Sequence, residues 1–123
     1  MSLGNTVVLI GEIRIIGSRI VKADDSELLE IEATVQTGFE SHGGLHTVIL
    51  FGETARKANA FIQANGGDGM LVTASGPLFS GKGDSRVYVK WIEFHVPPEV
   101  KKVALDLFFG ERTHRRRGKG MVA

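Results

Sequence analysis

Apolar and polar residues alternate along most of the first half of the chain, which is the period of β-strands. The run from Asn5 to Asp24 is rich in β-branched residues and apolar on both faces, with Gly11 inside it. A glycine in such a run allows the bend that a closing barrel needs, so the run predicts one long, curved strand. After a turn, residues 27–39 alternate cleanly and predict a half-buried second strand. Residues 46–51 predict a third strand.

The period becomes helical after the third strand. From Thr54 onwards, apolar residues recur every three to four positions, at Ala55, Ala58, Phe61 and Ile62. Asn65-Gly66-Gly67 then supplies the left-handed conformation that ends helices. A single helix of about three turns is predicted.

Two further strands follow this helix. Residues 70–78 predict a fourth strand, interrupted at Gly76-Pro77, and residues 86–96 predict a fifth, with a flexible hairpin tip between them. The apolar parity of the fifth strand changes between Trp91 and Ile92, which predicts a bulge or barrel corner there. The faces of Tyr88 and Trp91 stay open, and the core is the favoured position for Trp91.

Three strands, a helix and two strands form the element order of an OB-fold. This all-β fold is a five-stranded Greek-key barrel with a helix between strands 3 and 4. Beyond it, Pro97-Pro98 opens a second helix, with Gly110 as its stop and one apolar face formed by Val100, Val103, Ala104, Leu107 and Phe108. The predicted organisation is a barrel over 1–96, an amphipathic helix over 97–110 and a basic, disordered tail over 111–123.

Composition excludes several classes of function. The chain of 123 residues is 42% apolar, enough for one core, and its lack of cysteine excludes disulfides and thiolate chemistry. No apolar run reaches the roughly 18 residues that span a bilayer, so we expect no membrane association. The four histidines are scattered without ligand spacing. We therefore expect no metal, no cofactor and no enzymatic activity.

Charge is distributed unevenly along the chain. Residues 1–110 contain ten Lys/Arg and thirteen Asp/Glu, and residues 111–123 contain five and one, which add up to the totals of 15 and 14. The body is mildly acidic and the tail is basic. Such a tail is either a phosphate-binding arm or a solubilising segment, and both interpretations stay open.

Four motifs in order resemble the bacterial-type single-stranded DNA-binding protein family. They are "NTVVLIGEI" from residue 5, "EATVQTGF" from residue 32, "HTVILFGETARKANAFI" from residue 46 and "VTASGPL" from residue 72. The resemblance covers about residues 5–95. It implies an OB-fold that binds single-stranded DNA without sequence specificity, with RNA as the other candidate polymer, in replication, recombination or repair.

The resemblance also implies a set of binding residues. Phe39 and Phe51 match aromatic positions on which the family stacks bases, and Phe79 lies near a third. Stacking tolerates any sequence because every base has a π-face. The polar and cationic positions expected to contact the strand are Thr47, Arg56, Lys82, Arg86, Lys90, Arg115, Arg116 and Arg117. For Arg56, a solvated helix face is an equal alternative.

Several positions depart from the family pattern. Leu45 replaces a tryptophan, and Glu12 and Glu53 stand where the family has Arg, Asn or Lys, which weakens attraction to phosphate. The sequence also lacks the acidic C-terminal tip through which bacterial members recruit partners. The missing tryptophan and the acidic body favour an alternative: an OB-fold protein-interaction module, in the manner of primosomal accessory proteins, with weak nucleic-acid binding.

The resemblance further implies a homo-oligomer, dimer or tetramer. The apolar stripe of residues 100–108, which needs a surface to cover it, supports this expectation. The implied location is cytoplasmic and nucleoid-associated, in a protein of bacterial, phage or plasmid origin.

Overall fold

The computed structural model describes residues 5–38, 44–66, 69–81 and 84–120, with the backbone alone for Ala23 and for 111–120. Seven strands and two helices make up this part of the chain. In chain order they are β1 (Val7–Ala23), β2 (Ser26–Thr37), β3 (Gly44–Phe51), α1 (Gly52–Asn65), β4 (Met70–Gly76), β5 (Leu78–Gly81), β6 (Asp84–Tyr88), β7 (Trp91–His95) and α2 (Pro98–Gly120).

The strands form one sheet in the order β5-β6-β3-β2-β1-β4-β7. Neighbouring strands are antiparallel except β3 and β6, which are parallel. The two edge strands of this order are β5 and β7. They lie on the two arms of one long hairpin, because β4 continues into β5 on the first arm and β6 continues into β7 on the second. The sheet therefore coils on itself as a partly open barrel, and the predicted all-β OB-fold is confirmed.

The last two predicted strands are each divided in two, which gives seven strands where the sequence predicts five. Pro77 interrupts the fourth because it has no backbone N–H to donate to a ladder. In the fifth, the Val89 amide donates to the Ile49 carbonyl oxygen at 2.9 Å, whereas the Lys90 amide donates to the Ser75 carbonyl oxygen at 2.8 Å. The strand thus changes partner from β3 to β4 at this point, which is the barrel corner.

The predicted core position of Trp91 is wrong. Its side chain is 51% exposed, whereas Val87, Val89, Ile92 and Phe94 are buried. The core-facing side chains are therefore at odd positions up to Val89 and at even positions from Ile92, so the alternation changes at the corner. Trp91 lies on the outer side of β7.

β1 has the predicted length and alternation. Leu9 and Ile13 face the core, and a Cβ at Gly11 would overlap the Gln36 carbonyl oxygen of β2. Glycine at this position allows the two strands to approach closely. A register shift between Ile15 and Gly17 adds a bulge that increases the local bend of the strand.

α1 closes one end of the barrel. It begins at Gly52, two residues before the predicted start, where a φ of 58° turns the chain out of β3. Its inner face buries Phe61, whose ring stacks on that of Phe94 with centroids 4.4 Å apart. Gly66, at a φ of 82°, ends the helix as predicted.

α2 packs against α1 through part of its predicted apolar face. Ala104 and Phe108 are buried, but Val103 and Leu107 are exposed, so the five-residue face is divided. The helix also continues to Gly120, ten residues past the predicted stop at Gly110. Residues 111–117 contain several good helix formers and no proline, so nothing in them ends the helix. The division of the chain into barrel, helix and tail stays a prediction.

Candidate nucleic-acid interface

The outer surface of β3, β5 and β6 carries most of the predicted binding residues within the described part of the chain. The β3–β6 register sets Thr47 beside Arg86 and Ile49 beside Tyr88. The β5–β6 register sets Phe79 beside Arg86 as well. Side chains from three strands therefore share one face of the barrel.

Three aromatic rings line an open groove of about 450 Å³ on this face. Its lining residues are Phe51, Pro77, Phe79, Tyr88 and Lys90. The Phe51 side chain is 37% exposed and that of Phe79 is 58% exposed. Phe79 and Tyr88 meet edge to face, with ring centroids 5.1 Å apart. The exposed ring faces suit stacking on planar groups, and Lys90 adds a positive charge at the wall. We call this the aromatic groove.

The predicted residues divide into three groups. Phe51, Phe79 and Lys90 lie together in the aromatic groove, with Thr47 and Arg86 on the same face. Arg56 lies apart on α1, where it pairs with Glu53 at 3.5 Å and its Nε atom is buried. Phe39 and Lys82 lie outside the described residues, as do the side chains of Arg115, Arg116 and Arg117. The binding role of every one of these residues stays a prediction.

Sequence reasoning missed Tyr88 and Pro77. The parity change between Trp91 and Ile92 predicts a corner in the fifth strand, but it does not show on which face Tyr88, before the corner, lies. Pro77 was assigned only as an interruption of the fourth strand, although its ring lines the aromatic groove.

A second depression beside the aromatic groove combines arginines and glutamates. It has a volume of about 380 Å³ and is lined by Ile16, Gly17, Ser18, Arg19, Glu30, Glu32 and Arg86. Arg19 donates to Glu30, with 2.7 Å between Nε and Oε2, and Arg86 donates to Asp84, with 3.1 Å between Nε and Oδ2. The hydrogen bond to Glu30 raises the pKa of Arg19, and that to Asp84 raises the pKa of Arg86. Both guanidinium groups therefore stay charged, but carboxylates offset their charge.

Replacing Glu32 should strengthen binding of a polyanion to this face. Glu32 lines the depression and contributes a negative charge near both Arg19 and Arg86. Exposed charge pairs contribute about 0.2–1 kcal/mol, so we expect Glu32→Gln to lower the Kd for oligo(dT) about two- to fivefold in low salt. Glu99→Gln, on α2, removes the same charge elsewhere and controls for net charge. Equal effects of the two variants would contradict a local role of Glu32.

The remaining polar features have structural roles. The Thr37 hydroxyl and His46 Nε2 lie 3.1 Å apart in a hydrogen bond that joins β2 and β3, as expected for a strand histidine. Among the described residues, no three His, Asp or Glu side chains come together as metal ligands would. Neither helix, over its described residues, is long and apolar enough to span a bilayer.

Solved structures share this architecture. The single-stranded DNA-binding domain of a Synechococcus sp. protein superposes with a TM-score of 0.56 at 18% identity, covering 76% of this chain and 98% of its own. The mitochondrial single-stranded DNA-binding protein Rim1 of S. cerevisiae gives 0.53 at 14% identity, covering 76% and 96%. The fold is that of single-stranded DNA-binding domains.

PriB from Ralstonia solanacearum shares the fold too, with a TM-score of 0.50 at 8% identity over 77% of this chain and 100% of its own. No family model and no curated protein matches the sequence. Identities this low establish the architecture of the chain alone. The chain therefore has the fold of single-stranded DNA-binding domains.

Proposed function

We propose that the protein binds single-stranded DNA without sequence specificity. The observation that carries this proposal is the aromatic groove, where the rings of Phe51, Phe79 and Tyr88 and the ammonium group of Lys90 line one open surface of an OB barrel. Bases would stack on the exposed rings, and cations along the rim would neutralise phosphates. This chemistry is indifferent to sequence because no base edge needs to be read.

The surrounding face provides the other contacts of the proposal. Thr47 and Arg86 lie in register on neighbouring strands and would hold the sugar-phosphate backbone beside the groove. Lys82 and Phe39 would extend the contact surface, and Arg115, Arg116 and Arg117 would add non-specific attraction. Protection of single strands during replication, recombination or repair is the cellular role that we propose, in the cytoplasm. Binding, rather than catalysis, is the proposed activity.

A protein-interaction module is the second candidate function. The acidic body favours it, as do Glu30 and Glu32, because carboxylates on the candidate face oppose a polyanion. Leu45, which stands in place of an aromatic residue, is exposed on β3 and would suit an apolar protein contact.

The salt dependence of binding distinguishes the two candidates. Single-strand binding that neutralises several phosphates loses affinity with salt, with a logarithmic slope of about −0.7 per phosphate. We expect a slope steeper than about −2 for oligo(dT). An adaptor for another protein would bind the oligonucleotide weakly at every salt concentration, and that result would favour the second candidate.

We also propose that the protein forms a homo-oligomer through the outer face of β1 and β4. Val8 and Ile10 are each 59% exposed there, and Leu71, in register with Glu12, is 47% exposed. Three large apolar side chains exposed on one face of neighbouring strands favour an interaction site there. In sedimentation at micromolar concentration we expect a dimer or tetramer, and Ile10→Glu should shift it toward the monomer. A wild-type monomer would contradict the proposal.

A further inference from the structure

Trp91 occupies a position that neither the core nor the aromatic groove explains. It is the sole tryptophan of the chain, and half of its side chain is exposed on the outer side of β7. Its neighbours in sequence, Lys90 and Ile92, face different surroundings, since Ile92 is buried and Lys90 is exposed. A large exposed indole next to a lysine is a surface suited to stacking and cation–π contact.

Trp91 forms one wall of a second, smaller groove. This groove has a volume of about 210 Å³ and is lined by Glu53, Thr54, Lys57, Lys90, Trp91, Ile92 and Phe108. Its base is apolar, because Ile92 and Phe108 are buried. Lys57 is positioned at its edge by a hydrogen bond from Nζ to the Ile92 carbonyl oxygen, 3.4 Å away. We call this the tryptophan groove.

The tryptophan groove continues the aromatic groove. Lys90 lines both, so the two grooves meet at this residue. Tyr88 in the first groove and Trp91 in the second are three residues apart in the chain, which limits the separation of their Cα atoms to about 10 Å. A flexible polymer lying in the aromatic groove can therefore reach the indole by passing Lys90.

The charge of the tryptophan groove suits a polyanion. Lys57 and Lys90 each contribute an ammonium group to its lining, and Thr54 contributes a hydroxyl. Glu53 adds a carboxylate to this lining. The guanidinium group of Arg56 lies 3.5 Å from that carboxylate and offsets its negative charge. The tryptophan groove therefore combines an exposed indole, which provides a stacking surface, with two ammonium groups that suit phosphates.

We propose that Trp91 is a second base-stacking site, which extends the path of a single strand from the aromatic groove past Lys90. One base stacks on the indole, and Lys57 and Lys90 contact the flanking phosphates. The proposal rests on the proposed function, because it takes the same ligand. A second copy of this chain is the competing occupant, since Trp91 lies in register with Ser75 and Ser75 with the exposed Val8.

Trp91 is its own reporter, because no other tryptophan contributes to the emission of the protein. The experiment titrates the full chain with fluorescein-labelled oligo(dT) of about 16 nucleotides, the upper size of an OB-fold site. Anisotropy of the label reports binding, and tryptophan emission, measured in parallel with unlabelled oligonucleotide, reports contact with Trp91. We expect quenching that saturates together with the anisotropy.

The variants Trp91→Ala and Trp91→Phe test the contribution to affinity. We expect Trp91→Ala to raise the Kd about 5- to 150-fold, which corresponds to one stacked base, and Trp91→Phe to retain most of the affinity. Val103→Ala shortens a similarly exposed apolar side chain on α2, which does not line the groove, and should leave the Kd unchanged.

Each contrary outcome has a separate meaning. Binding with unchanged tryptophan emission and an unchanged Kd for Trp91→Ala would overturn this inference and leave the proposed function intact. An unchanged Kd with a smaller sedimenting species for Trp91→Ala would also overturn it, because a second copy would then cover the indole. No binding by the wild type would overturn the proposed function, and this inference with it.

Discussion

Alanine at both Phe51 and Phe79 weakens binding of single-stranded oligonucleotide by between about 30-fold and about 10⁴-fold, if the aromatic groove is the binding site. The reason is that each stacked base contributes about 1–3 kcal/mol, so that losing two costs about 2–6 kcal/mol. The two rings line the same groove from different strands, Phe51 at the end of β3 and Phe79 on β5. Fluorescence anisotropy with labelled oligo(dT) measures the change in Kd.

The double variant should retain its fold, because neither ring belongs to the core. Its thermal unfolding midpoint is therefore expected to stay close to that of the wild type. Phe109→Ala is the matched control, since Phe109 is 53% exposed on α2, away from the groove. If the double variant binds within about threefold of the wild type, stacking in the aromatic groove is wrong.

The second large effect concerns stability. Phe61→Ala should lower the free energy of unfolding by about 3–5 kcal/mol, because it leaves a cavity between α1 and the barrel. The Phe61 side chain is almost fully buried and stacks on Phe94 at an interplanar angle of 11°. Domains of this size have about 5–15 kcal/mol of stability in total, so the loss is a large fraction.

Urea denaturation at a fixed protein concentration measures this loss, since the stability of an oligomer depends on concentration. Phe109→Ala again serves as the control, with an expected cost below about 1 kcal/mol, typical of a surface substitution. A cost of less than about 1 kcal/mol for Phe61→Ala would show that α1 does not close the core.

Local patterns predict the parts of the fold that depend on a single element. The alternation of β1 and the apolar stripe of α1 follow from the period of side chains along one strand or helix. Gly66 ends α1 as predicted because a left-handed residue is a local requirement. The pairing of Arg19 with Glu30 also has a local signal, since the two are equally far from the Asp24-Asp25 turn.

Features that depend on contacts between distant elements are not readable in this way. The parity change between Trp91 and Ile92 predicts a corner in the fifth strand, but its place at Val89 and Lys90 is set by hydrogen bonds to Ile49 and Ser75, far away in the chain. Hydrophobicity alone placed Trp91 in the core. On α2, Ala104 and Phe108 form one apolar stripe, and Val103 and Leu107 form another. The sequence does not show which stripe is buried; packing against α1 buries the first.

In the candidate site, too, some residues could be predicted from the sequence and others depend on contacts between distant strands. Phe51 and Phe79 were predicted from the family resemblance, and the structure brings them into one groove. Tyr88 completes the groove from a strand whose register with β3 is parallel and long-range. Asp84, which offsets the positive charge of Arg86, lies only two residues from it in sequence. Glu32 also acts on the charge of Arg86, but across three strands of the sheet.

The central claim is that this barrel binds single strands, and one equilibrium measurement tests it most directly. Fluorescein-labelled oligo(dT) is titrated with the full chain, alone and annealed to oligo(dA), in low and in moderate salt. We expect the single strand to bind at least about tenfold more tightly than the duplex, because bases in a duplex cannot reach the rings of the aromatic groove. Equal binding of both forms, or binding of neither, would contradict it.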